Sequence, residues 1–270
     1  MSRKCFILWL CAIGFCLMNV EASEIGTFRG SIVELDFTTP LGADSSPDVV
    51  KWAHVQKKVE ALEIAHLGLS VADSEVEAAH AERLALVHFD DDAARNVVRI
   101  GSAMKEALQK WQANPEQDRG IYESLLMPLD VSLATWESFK KTHGTPESLE
   151  KLWVPKDEAA ARNAGKESIR NELLRKKLAE HVSGKTIVSE GELWGAFLRA
   201  SNPDAKAEDM AALKFAFTQQ QVAAALELWM AGVVQKGDLL ISSTEYKTAI
   251  ESRARDISAK VSGASAGAAE

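Results

Sequence analysis

The sequence predicts an all-α protein, built as a multi-helix bundle of about ten helices. Two observations predict this fold class. From Pro47 onward, apolar residues recur every three or four positions through most of the chain, which is the spacing of an amphipathic helix. Helix start signals precede these stretches, and glycine or proline follows many of them.

Local signals place the individual helices. Three pairs have the spacing of a capping box, in which a serine or threonine is followed three residues later by Glu or Gln: Ser74 with Glu77, Ser189 with Glu192, and Thr218 with Gln221. Asp90, Asp130 and Thr145 indicate further starts, while Gly144 and Gly237 indicate ends. One long charged helix is expected from about Lys156 to Gly184.

Residues 1–22 have the pattern of a secretory signal peptide. Arg3 and Lys4 precede an apolar core of about 13 residues, which is too short to cross a bilayer as a helix. Small side chains at the required positions predict cleavage between Ala22 and Ser23. We therefore expect the protein to be secreted.

Removal of this segment changes the chemistry of the chain. Cys5, Cys11 and Cys16 all lie within it, so the mature chain would have no thiol and thiol catalysis is excluded. The formal net charge would change from −8 to −9, because two cations and one anion are lost. An acidic surface disfavours nucleic acid and anionic lipid as partners. No later apolar stretch reaches the length of a transmembrane helix.

Four segments are predicted after the signal peptide. We expect residues 23–46 to form a flexible extended arm and residues 47–114 an N-terminal helical hairpin or bundle. We expect residues 115–260 to form a C-terminal helical bundle, and residues 261–270 a disordered tail. Val33, Leu35 and Phe37 alternate with polar residues, which indicates at most one short strand in the arm. Because no partner strand follows, we expect the arm to be loosely held.

Two Glu-x-x-His motifs are the candidate metal ligands, Glu63 with His66 and Glu77 with His80. Di-iron carboxylate bundles use two such motifs, since this spacing places both side chains on one helix face. Such a site needs two further glutamates from other helices, and none is evident here. We therefore expect no metal and no other cofactor, and we interpret both histidines as partly buried residues near a helical hairpin.

Residues 193–233, "LWGAFLRASNPDAKAEDMAALKFAFTQQQVAAALELWMAGV", resemble the WY-domain unit of secreted oomycete effectors. Trp194 matches the family tryptophan, and Phe217 stands where the family has tyrosine. The flanking core positions of the unit are Phe197, Leu213 and Leu226. A second, looser unit includes Tyr122, Trp136, Phe139 and Pro146. The chain departs from the family in lacking both the R-x-L-R and the acidic E-E-R elements.

The resemblance implies that the protein is a non-enzymatic effector. Members of this family are secreted by a plant pathogen, enter host cells and bind host proteins to suppress defence. Their helical units act as scaffolds, and the residues that contact a partner lie on surfaces that no sequence pattern identifies. The expected partner is thus a host protein, while its identity and the oligomeric state stay open.

Two other function classes fit parts of the sequence. The first is an acidic, alanine-rich helical surface or coat protein of a protozoan parasite, whose lipid-anchor signal would need a hydrophobic tail that this sequence does not show. The second is a metal-binding helical enzyme that uses Glu63, His66, Glu77 and His80. Since no acid, base and nucleophile can be grouped from the sequence, we expect no enzymatic activity.

Overall fold

The computed structural model describes residues 23–35, 46–187 and 207–266, and within these it leaves the side chains of residues 23, 207–214 and 261–266 undescribed. The described residues are mostly helical (76%) and include one small three-stranded sheet, so the prediction of an all-α bundle is confirmed. The predicted signal peptide and the Ser189–Glu192 capping box lie outside the described residues.

The α-helices are α1 Pro47–His66, α2 Asp73–Leu86, α3 Asp91–Ala113, α4 Asp118–Ile121, α5 Leu133–His143, α6 Pro146–Glu150, α7 Glu158–Asn163, α8 Lys166–Ser183, α9 Ala207–Lys236 and α10 Thr244–Ala266. Between α3 and α5 the chain also forms two 3₁₀ turns and one π-helical turn: Pro115–Gln117, Met127–Leu129 and Tyr122–Leu126. The helix α10 extends into the stretch that was predicted as a disordered tail.

Several helix boundaries are those that the sequence predicts. The carboxylate of Asp90 accepts a hydrogen bond from the Ala93 amide (2.8 Å) and caps α3, because the first amides of a helix have no partner within it. The hydroxyl of Thr145 caps α6 in the same way. The helix α9 ends just before Gly237, whose φ of +76° suits glycine.

Two predicted starts are wrong by one or two residues. The cap of α5 is Ser132 rather than Asp130, and Asp130 instead adopts a left-handed conformation with φ of +56°. The helix α2 begins at Asp73, where the Glu75 carboxylate accepts a hydrogen bond from the Ala72 amide (2.9 Å), so Ser74 and Glu77 do not form the capping box.

Two longer predictions are also corrected. Thr218 and Gln221 lie within the continuous helix α9, whose interior is rich in alanine, leucine and glutamine and therefore has high helix propensity throughout. The charged helix predicted from Lys156 to Gly184 is instead two helices, α7 and α8. The chain breaks between them at Gly165, which has φ of +90°.

The predicted flexible arm is wrong for residues 23–35, which form two strands of a sheet. The strands β1 (Ser23–Phe28) and β2 (Ser31–Leu35) make an antiparallel hairpin, and β3 (Leu239–Ile241) pairs with the other edge of β1. The partner strand thus exists, but it lies far along the sequence. The buried side chains of the hairpin are Ile25, Phe28, Val33 and Leu35, and burial stabilises such residues by about 1.5–3 kcal/mol each.

The chain divides into two compact units whose boundaries differ from the predicted division at residue 114. The described part of unit 1 comprises residues 76–169 and is continuous in sequence. Unit 2 comprises the described residues on both sides of this insertion, up to residue 75 and from residue 170. No helix in the described part of the chain is both long and apolar enough to cross a membrane.

The core of unit 2 lies between the inner face of the sheet and three helices, α1, α9 and α10. Its members include Phe28, Trp52, Met230 and Ile250, each with at most 2% of its surface exposed. A second cluster of the same unit joins α8 to α9 through Leu178, Val222 and Leu226.

The core of unit 1 forms around α3, with the chain from α4 to α6 packed against it. Met104, Leu108, Leu126 and Trp136 are essentially inaccessible. Met104 and Leu108 therefore lie on the face that α3 buries.

Candidate protein-interaction cleft

The structure describes only part of the predicted WY-like core. Trp194 and Phe197 lie outside the described residues, and Leu213 is described only as part of the backbone of α9. Leu226 is fully buried beside Leu178 and Val222, as a core position requires. Phe217 is half-buried on the same helix.

In the looser unit, Trp136 is a structural residue. It is fully buried and stacks on Phe139, with ring centroids 6.4 Å apart. Its indole N–H donates to the carboxylate of Asp118 (2.8 Å), which also binds Lys140. Burial acts to lower the pKa of Lys140, but its hydrogen bonds to Asp118 and Glu137 outweigh burial and raise it. The network therefore keeps a buried cation charged.

The candidate metal ligands do not act as two equivalent pairs. Glu63 is buried and accepts two hydrogen bonds from Arg29, each 2.8 Å long, while His66 is exposed. Glu77 is exposed and bound to Lys166 (2.6 Å), while His80 is buried. Throughout the described ranges, no group of three or more His, Cys, Asp or Glu side chains could hold a metal ion. The prediction that both histidines are partly buried is wrong for His66.

The environment of His80 explains its protonation state. Burial lowers its pKa, and the nearby cation of Lys166 lowers it further, whereas Glu77 and a hydrogen bond to the Arg162 backbone act in the opposite direction. Its Nε2 atom is buried without a hydrogen-bond partner. The side chain is therefore a buried, neutral imidazole.

Unit 2 has an open cleft of about 280 Å³, which no single sequence motif indicates. Its lining comes from the β1–β2 turn, the end of α8 and the last half of α9: Arg29, Val182, Ser183, Ala225, Leu228, Trp229, Gly232, Val233, Lys236 and Asp238. Most of these side chains are apolar, with charged groups at one end. The volume is below the roughly 300–1,000 Å³ of typical small-molecule sites, so it suits one or two side chains of a partner.

The helix α9 supplies one continuous wall of the cleft. Ala225, Leu228, Trp229, Gly232 and Lys236 recur at intervals of three and four residues and so share one helix face. Leu228 is 46% exposed despite its size. A Cβ atom added to Gly232 would meet no other atom within 4 Å. Gly232 therefore leaves open space on this wall of the cleft, although alanine at the same position would make the helix more stable.

The β1–β2 turn fixes the opposite wall. Arg29 and Gly30 have φ of +48° and +82°, as a two-residue hairpin turn of type I′ requires. The guanidinium group of Arg29 lies 5.2 Å from the ring centroid of Phe28 and binds the buried carboxylate of Glu63. The Arg29 amide donates to the carbonyl of Asp238 (3.1 Å). Arg29 is therefore rigidly positioned and largely neutralised.

Lys236 is the charged group of the cleft that is left to bind a partner. It makes no ion pair within the described part of the chain, in contrast to Arg29. Trp229, which packs edge-on against Phe28 (6.3 Å between centroids), lies about two helical turns before Lys236 on α9. Tryptophan and arginine are the residue types that most often dominate protein interfaces. An apolar wall with a free ammonium group at its end can bind an apolar side chain next to a carboxylate.

The chain matches no protein-family model, and no curated protein or solved structure matches it either. Sequence reasoning identified the helix that carries Leu226 and Trp229 but missed Arg29. The local signal was available, since Arg29-Gly30 stands between apolar residues and favours a hairpin turn.

Proposed function

We propose that this protein is a secreted pathogen effector that binds host proteins and suppresses host defence without catalysis. The observation that carries the protein-binding part is the apolar cleft on α9, with Leu228 exposed beside Trp229 and Lys236 at its end. The resemblance of residues 193–233 to effector scaffolds supports a host as the source of the partner.

The chemistry of the cleft supports binding over catalysis. Its described lining includes one carboxylate, Asp238, and neither a histidine nor a cysteine. Asp238 lies 4.0 Å from the Arg29 guanidinium group, so its carboxylate already faces a cation of the protein. The partner that fits presents an apolar side chain to Leu228 and Trp229, followed by a carboxylate that reaches Lys236.

A cleft-filling variant tests this function directly. In Gly232→Leu the new side chain would occupy the cleft, and since the space at Cβ is open the fold should be kept. The matched control is Gly120→Leu, because Gly120 is also a helical glycine with open space around it and lies in unit 1. Circular dichroism and thermal unfolding would verify that both variants fold.

The readout is suppression of elicited cell death in plant cells, together with the host proteins that co-purify. We expect the wild type and Gly120→Leu to suppress cell death and to retain the same host protein. We expect Gly232→Leu to lose both. Equal activity of all three proteins would exclude the cleft as the binding site, and no activity in any of them would exclude the effector role. Detection of the native protein coating the cell that produced it would favour the coat-protein class instead.

A further inference from the structure

The outer face of the three-stranded sheet exposes an apolar row. Thr27 on β1 lies opposite Ile32 on β2 and opposite Leu240 on β3, so the three side chains form one line across the sheet. Ile32 and Leu240 are 52% and 64% exposed. The two exposed aliphatic side chains, with the Thr27 methyl group between them, supply the apolar part of this face.

The strand β2 is an edge of this sheet. The strand order is β2-β1-β3, and β1 is the partner of β2 among the strands described. In a two-residue hairpin the residues that flank the turn, here Phe28 and Ser31, exchange hydrogen bonds with each other. The alternate residues, Ile32 and Glu34, therefore direct their backbone N–H and C=O groups away from β1. The same two residues have exposed side chains on the outer face.

Two like charges lie next to the apolar row on the same face of the sheet. Glu24 on β1 lies directly opposite Glu34 on β2, and both are exposed. Like charges at directly opposed positions destabilise a sheet. Neither carboxylate has an ion-pair partner in the part of the chain that the structure describes, so the repulsion is not offset there. A cation placed between them would remove it.

We propose that the β2 edge binds a short, extended, basic segment of another protein by strand addition. The partner strand would pair its backbone with Ile32 and Glu34. It would place an apolar side chain beside Ile32 and a lysine or arginine between Glu24 and Glu34. Main-chain hydrogen bonds supply the affinity in this mode of recognition, and the alternating side chains supply the specificity.

The charge of this edge selects against a second copy of the chain. Two β2 strands paired edge to edge would bring Glu24 and Glu34 of both copies to one face, so four carboxylates would be close together. Charged residues on edge strands prevent such self-pairing in natural sheets. A basic partner is favoured by the same charges, and strand addition needs about five residues of β2, or roughly 17 Å of chain.

This surface is distinct from the cleft and can be tested without it. The probe is a seven-residue peptide of sequence Thr-Lys-Thr-Val-Thr-Lys-Thr. It is titrated into the full-length protein, and binding is followed by fluorescence anisotropy. We expect saturable binding that weakens as salt is added, since the ion pairs are exposed. A peptide with glutamate in place of lysine should bind at least tenfold more weakly.

Two variants separate strand addition from general attraction between a basic peptide and an acidic protein. N-methylation of the central valine removes one N–H and keeps every charge, and it should weaken binding about tenfold, which corresponds to about 1.4 kcal/mol. On the protein, Glu34→Lys should abolish binding of the lysine peptide and allow binding of the glutamate peptide. The control Glu82→Lys makes the same change in net charge at an exposed site on α2 in unit 1.

The proposal is overturned if the N-methylated peptide binds as tightly as its parent, or if Glu82→Lys weakens binding as much as Glu34→Lys. Loss of the peptide interaction in Gly232→Leu would place the peptide in the cleft instead and would also overturn it. Failure of the effector role in plant cells leaves these measurements unaffected, since they use purified components.

Discussion

The motifs Glu63-x-x-His66 on α1 and Glu77-x-x-His80 on α2 have the same spacing, but they bury opposite members. In the first motif the carboxylate is 3% exposed and the imidazole lies in solvent. In the second the imidazole is 6% exposed and the carboxylate lies at the surface. The spacing places both side chains of a motif on one side of a helix, and the neighbouring elements decide which of the two is covered.

The neighbours of each motif supply the physical reason. One guanidinium nitrogen of Arg29 donates to both carboxylate oxygens of Glu63, and a buried carboxylate is stable only when it is paired and hydrogen-bonded. The same helix buries Glu60, which binds Arg175 at 2.7 Å. In the second motif, Lys166 pairs with Glu77 at the surface, so this carboxylate stays in solvent. The imidazole of His80 can be buried because it is neutral and needs no counter-ion.

The largest loss of stability is expected for Arg29→Met. The substitution keeps apolar contact with Phe28 but leaves the Glu63 carboxylate buried without a partner, which should lower the free energy of unfolding by about 2–4 kcal/mol. Arg29 is 40% exposed, so the lower part of that range is favoured. Urea denaturation measures the change, and the double variant Arg29→Met with Glu63→Leu should regain most of it. A loss below about 1 kcal/mol would contradict the ion pair as a stabilising contact.

The second prediction concerns acid stability and His80. Its pKa is lowered in the folded protein, so the unfolded chain binds the proton more readily. Stability is then fully present above the unfolded pKa of about 6.5, and it is lost as the pH falls through the folded pKa. His80→Gln should flatten this part of the stability profile, measured as melting temperature against pH.

A control is needed for the acid profile because burial also lowers the pKa of His143. His143→Gln should remove only the part of the pH dependence of the melting temperature that comes from His143. The part that comes from His80 should stay. If the profile of His80→Gln has the same slope as the wild type, the pKa of His80 is the same in the folded and unfolded states and the description of its environment is wrong.

A small effect is expected at the exposed member of the second motif. Glu77→Gln breaks the ion pair with Lys166, which lies at the surface and is screened by solvent. The unfolding midpoint should stay within experimental error of the wild type, in contrast to the large change for Arg29→Met. A midpoint shift comparable to that of Arg29→Met would show that exposure does not separate the two glutamates.

The smallest effect is expected for His66→Ala. This side chain is exposed at the end of α1, and surface substitutions of this kind usually change stability by no more than about 0.5 kcal/mol. Thermal unfolding with and without added zinc gives the measurement. A zinc-dependent rise in melting temperature that is lost in both His66→Ala and His80→Ala would restore the metal-site interpretation.

Local signals in the sequence predicted the helices and missed the sheet. Asp90 and Thr145 each cap a helix by accepting from the amide three residues later, so the information is complete within a short window. The strand β1 pairs with residues 239–241, and no local pattern reports such a partner. The break between α7 and α8 has no clear local signal, because the residues around it have high helix propensity. The break consists of an extended ψ of 134° at Ala164 and a φ of +90° at Gly165.

The cleft was predictable only in part. Apolar residues recur every three or four positions on α9, and this periodicity identifies Leu226 as a core residue, which the structure places against α8. The same periodicity cannot separate Leu228, which stays 46% exposed, from a buried leucine. The opposite wall depends on Arg29, whose position follows from its pairing with Glu63, 34 residues later in the chain. Contacts of this kind are a property of the folded chain and not of any segment of it.

The pairing of β1 with β3 also sets an order of events during synthesis. Phe28 lies opposite Leu239, and the two are 211 positions apart in the sequence. A ribosome that adds about 5–20 residues per second needs roughly 10–40 s between them. Unit 1, which is continuous from residue 76 to residue 169, emerges complete within that interval. The β1–β2 hairpin is made before unit 1 but must wait for its third strand, so it is fixed in place only after unit 1 has emerged.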